Sequence, residues 1–117
     1  MTARLDLLAE GYARVRVTST VVQVRDGDAV IVVDPGMVAN RNLILDPLAA
    51  LGVYPYQVTD VAFNHHHSDH TLNAAQFAEA RCHDHRAIHQ DDIWIDREAD
   101  GFELGLSVGL KATPGHS

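Results

Sequence analysis

The stretch Phe63-Asn64-His65-His66-His67-Ser68-Asp69-His70-Thr71-Leu72-Asn73 sets four histidines and an aspartate into six consecutive positions, His65 to His70. It lies inside the chain, so a terminal affinity tag does not explain it. Side chains alternate along an extended segment, so His65 and His67 point to one side and His66 points away. Two imidazoles on one side are natural partners for a single metal ion, and a catalytic zinc takes three protein ligands and keeps a position for water. Asp69 and His70 follow where the chain should turn into a helix near Thr71, and they offer the start of a second half-site. A helical zinc-protease motif would need a glutamate directly after the first of two histidines four apart. His66 and His70 have that spacing, but His67 stands where the glutamate should be. A purely structural zinc site would recruit cysteines, and Cys82 is the single one in the chain. A solvated, histidine-rich loop is the remaining plain reading.

Working outward, Val58 to Asn64 reads as a strand that delivers the cluster at its end, where site residues concentrate. Upstream, residues 14 to 25 alternate apolar and polar, Asp26-Gly27-Asp28 supplies a turn, and Ala29 to Asp34 continues as an apolar run, which together predict a hairpin. Asp34-Pro35-Gly36 ends it. Asn40 to Leu51 carries apolar residues at helical spacing up to Gly52, with Pro47 expected to kink or restart the helix. Downstream, Thr71 to Ala80 suits a short helix and Ala80 to His83 a strand. Asp91 to Glu103 reads as an acidic loop, and Leu104 to Thr113 as a strand before Thr113-Pro114-Gly115-His116. That last turn would present His116 at a sheet end, as a third ligand beside His65 and His67. His83, His85 and His89 are expected at the surface or the rim of the site, and Cys82 as a small strand residue.

Composition limits the function classes. With 117 residues, 46% hydrophobic and 21% charged, the chain has the balance of one small globular core. Nine Lys and Arg against 16 Asp and Glu give a net charge of −7, which disfavours a phosphate-tracking nucleic-acid groove. No run approaches the ~20 apolar residues of a membrane helix. One cysteine and no signal layout point to a reducing, cytoplasmic setting.

In order, Val33-Asp34-Pro35-Gly36, the His-x-His-x-Asp-His pattern of His65, His67, Asp69 and His70, and the Thr-Pro-Gly-His ending in His116 resemble the metallo-β-lactamase superfamily. The likeness is greatest to its small generic metallo-hydrolases and hydroxyacylglutathione-hydrolase-like proteins. It implies an α/β fold, the N-terminal half of an αββα sandwich. It also implies Zn2+, held first by His65, His67 and His116 and second by Asp69 and His70, with Asp34 a buried carboxylate steadying the ligand loop from behind. Otherwise Asp34 is a plain turn residue. In the family a bridging aspartate and a last histidine follow the third histidine, whereas this chain ends at Ser117. Residues 1–117 are therefore expected to form one domain truncated at its C-terminus, with an inner sheet face open to self-association.

The activity implied is hydrolysis of an ester, thioester, lactone or related bond in a small molecule by a metal-bound hydroxide, with Asp69 as the catalytic carboxylate. A non-catalytic module holding one metal ion is the competing reading. A diiron oxidoreductase on the same scaffold is a third.

Overall fold

The first strand is one that the N-terminal sequence does not announce. In the computed structural model, which describes residues 3–13, 17–18, 20–64, 68–84, 87–97, 101–104 and 108–110, Arg4–Ala9 forms β1. Tyr12–Ala13 (β2) and Val17–Thr18 (β3) pair with each other in a small separate ladder. Val21–Asp26 (β4) and Ala29–Val33 (β5) then make the expected hairpin. The alternating segment 14 to 25 is thus divided rather than one strand. Thr20, between the two pieces, accepts the Gly11 N–H at 2.9 Å. The hairpin loop has two residues, and its first, Gly27, sits at φ 62°, a conformation glycine adopts without steric cost.

Asn42–Ala50 forms α1, one continuous helix that contains Pro47. The helix does not restart at Pro47. The carbonyl deprived of its donor belongs to Leu43, which is 50% exposed, so water can take the place of the missing N–H. The helix lays Ile44 and Leu48 on Leu8, Val21, Val32, Val61 and Phe77.

Asp60–Ala62 (β6) pairs parallel to β5, and Arg81–His83 (β7) pairs parallel to β6. Between β6 and β7 the expected ten-residue helix is replaced by a single turn, Ser68–Thr71 (α2), and a 3-10 turn at Ala74–Gln76. The reason is a tertiary contact: the Asn73 N–H goes to the Pro35 carbonyl at 2.7 Å instead of continuing the helix ladder.

Ala87–Gln90 (β8) and Ile93–Asp96 (β9) extend the sheet antiparallel. β9 corrects the loop expected over Asp91 to Glu103, because Ile93, Trp94 and Ile95 are strand formers and pair with β8. Its four residues are nonetheless all exposed. The strand expected over Leu104 to Thr113 is represented, among the described residues, by a bridge between Glu103 and Gly109; residues 105–107 and 111–117 lie outside them.

The result is a seven-stranded mixed sheet in the order β1-β4-β5-β6-β7-β8-β9. One face packs under α1 and Phe77. The other buries Ile31, Ala62 and Leu104 with Phe102, Val108 and Leu110 against them. On that second face, the register places exposed Leu5 and Leu7 at one edge and exposed Ile93 and Ile95 at the other.

Candidate metal centre

Parallel pairing of β5 and β6 brings the C-terminal ends of both strands side by side, where a loop can be held by two rigid neighbours. The Asp34 N–H continues the ladder to the Ala62 carbonyl at 2.9 Å. Asp34 itself takes φ 53°, a left-handed conformation that costs a non-glycine residue on the order of 1 kcal/mol and is kept only where surroundings enforce it. Its side chain is 3% exposed and fully engaged. Oδ1 accepts the Asn64 N–H at 2.8 Å, and Oδ2 accepts Asn64 Nδ2 at 2.5 Å. Oδ2 also meets His70 Nδ1 at 2.8 Å. An ionised carboxylate can only accept, so this contact places the ring proton on Nδ1 and leaves Nε2 as the nitrogen able to accept or to ligate.

This is the arrangement by which metal-ligating histidines are oriented, a carboxylate behind one ring nitrogen and the ion before the other. The chemistry of the pair fits an imidazole that could hold a divalent metal. Asp34 and His70 are brought together, with Asp69 beside His70 on α2. His65, His67 and His116 lie outside the described residues. Among the described residues, no three potential ligands converge. An Asp34→Ala substitution strips its acceptor from three donors and, if His70 ligates a metal, is expected to weaken divalent-metal binding about 10- to 100-fold, read by competition with a chromophoric chelator. Unchanged affinity would separate Asp34 from the metal.

A second polar cluster was not legible from motif spacing. His83, expected at the surface or rim, is fully buried at 0% exposure. Its Nε2 meets Asp60 Oδ1 at 2.7 Å, and Arg97 Nη2 lies 3.1 Å from Nδ1. Asp60 accepts and a guanidinium can only donate, so these contacts assign a ring proton to Nε2, facing Asp60. Arg81 Nε and the Thr59 hydroxyl also donate to Asp60, at 2.9 and 2.7 Å. Burial pushes the Asp60 carboxyl up, but the hydrogen bonds from His83 and Thr59 and the charge of Arg81 outweigh it and hold the group below its ordinary value. The available signal was an aspartate inside the apolar Val58 to Phe63 run, which must find partners if buried.

Cys82 is the strand residue expected, and burial followed by the nearby Asp60 charge pushes its thiol up, away from nucleophilic use. His89 stacks on Trp94 with centroids 5.2 Å apart. His85 lies outside the described residues.

The family model of the metallo-beta-lactamase superfamily matches residues 13–115. The chain belongs to that superfamily. Among curated relatives, metallo-beta-lactamase domain-containing protein 1 of Mus musculus is 36% identical over 90 residues, covering 74% of this chain and 35% of that protein. The Rattus norvegicus counterpart is 34% identical over 90 residues, covering 74% of this chain and 36% of its own. The superfamily chain described here thus spans about a third of the length of these relatives. A crystal structure from Thermotoga maritima, of a candidate metallo-beta-lactamase, superposes with TM-score 0.61 at 31% identity, over 68% of this chain and 42% of that one. The mixed sheet with its packed helix is the corresponding portion of the metallo-β-lactamase fold.

Proposed function

We propose that the chain carries the metal-binding part of a zinc-dependent hydrolase acting on an ester, thioester, lactone or related bond of a small molecule. The observation that supports it most is the buried Asp34 carboxylate at 2.8 Å from His70 Nδ1, in a chain of a metallo-hydrolase superfamily. In this reading His65, His67 and His116 hold a first ion, and Asp69 and His70 a second. Zinc, when bound, supplies a Lewis acid and a water of lowered pKa. Asp69 orients the attacking water and accepts its proton. Asp34 keeps the His70 ring fixed, and Asn64, bonded to the same carboxylate, ties the end of β6 to it.

The acidic balance of −7 favours acyl substrates over polyanions such as nucleic acid. The single cysteine fits a cytoplasmic, reducing setting. No helix among the described residues is long and apolar enough to cross a membrane. The reading is tested by titrating the chain with zinc while assaying thioester, lactone and phosphodiester hydrolysis. Stoichiometric binding with acyl turnover that chelator abolishes is the expected result. Binding without turnover of any substrate would instead identify a non-catalytic metal module.

A further inference from the structure

We propose that Asn73 is a positioning residue for the second half-site, the clasp that fixes how α2 presents Asp69 and His70; this rests on the metal-site reading of those two residues. A helical turn of four residues has no stability of its own, because nucleation is unfavourable and too few hydrogen bonds follow it. Its orientation must come from outside. One tether is the His70 contact with Asp34. The other lies three residues further on, where half-buried Asn73 sends its backbone N–H to the Pro35 carbonyl at 2.7 Å and its side-chain Nδ2 to the Gly36 carbonyl at 2.5 Å. Both anchors belong to the same short turn, Asp34 to Gly36, which is closed by the Gly36 N–H on the Asp34 carbonyl at 2.7 Å.

The two tethers act reciprocally. Asp34 reaches out to hold Asn64 and His70, on the segments before and within α2. Asn73 reaches back from beyond α2 to hold the two carbonyls that follow Asp34. The left-handed Asp34 is thereby held in place by the segment it orients. Asparagine suits this position because it offers a backbone donor and a side-chain donor together. Aspartate has the same shape but would set a carboxylate oxygen against the Gly36 carbonyl, two acceptors with no proton between them.

The test compares the 117-residue chain with its Asn73→Asp variant by two readouts. In 15N-labelled protein, the Nδ1–H signal of His70 reports the Asp34 contact without any metal. A cobalt(II) titration, followed by absorbance, reports affinity and coordination. Asn73→Asp is expected to keep the amide spectrum of β4, β5 and α1, to speed exchange of the His70 Nδ1–H, and to weaken cobalt binding about 10- to 100-fold. A variant with unchanged exchange and unchanged cobalt affinity overturns the proposal. A variant that merely loses thermal stability, with both readouts intact, overturns it equally. If the unaltered chain takes up no cobalt, the metal reading fails by itself, and the His70 signal alone decides whether the clasp exists. Should Asn73→Asp not fold, Asn73→Ala keeps the backbone bond and removes the repulsion. It is expected to shift the same two readouts in the same direction by less.

Discussion

On the proposed hydrolase reading, an Asp69→Asn substitution is expected to lower hydrolysis about 10²- to 10⁴-fold, the range that a positioned general base contributes. Asparagine keeps the size and the carbonyl oxygen of the side chain but cannot accept a proton from water. It also withdraws a negative charge from the second half-site, so affinity there falls as well. The two effects separate in the measurement. If Asp69 acts chiefly as a base, kcat falls at saturating zinc and its pH dependence changes. If it acts only as a ligand, raising the zinc concentration restores kcat. Normal hydrolysis of every substrate turned over by the unaltered protein, at limiting zinc, would remove Asp69 from both roles.

Asp60→Ala is expected to destabilise the fold by about 3 kcal/mol, toward the upper end of the cost of orphaned buried donors, because several lose their acceptor at once. His83 bears most of that cost, being fully buried. The Arg81 side chain is 42% exposed and can turn to water. The same cluster sets a pH dependence. The folded-state pKa of Asp60 lies below its unfolded value, so the folded form binds fewer protons through that interval. Its contribution is complete above the ordinary carboxylate pKa of about 4 and is lost as pH falls through the lowered folded value. Urea unfolding across the acid range should show this loss in the unaltered chain and a shallower one in Asp60→Asn. Equal slopes would mean that Asp60 contributes nothing specific at low pH.

Asp69 and Asp34 were not equally legible in the sequence. Asp69 stands in a run whose residue types and spacing suit a metal, and ligand spacing is a local property that a sequence displays directly. The β4–β5 hairpin was legible for the same reason, since alternation and a glycine turn act over a few residues. Asp34 was marked by its place before Pro35 and Gly36. That it reaches Asn64 and His70, 30 and 36 residues away, follows only from β5 lying parallel to β6.

Superfamily, α/β class and candidate ligands are legible before any folding, because each is written in short-range pattern. Tertiary structure decided the rest. The Thr71 to Ala80 segment has helical composition, but Asn73 gains more from the Pro35 and Gly36 carbonyls than from continuing a helix. Asp91 to Glu103 is acidic, but Ile93 to Ile95 find a partner in β8. His83 looks like any surface histidine until Asp60, 23 residues earlier, is set beside it by the β6–β7 pairing. In each case a contact distant in the chain outweighs a local preference of a few tenths of a kcal/mol per residue, and such contacts exist only once the sheet has formed.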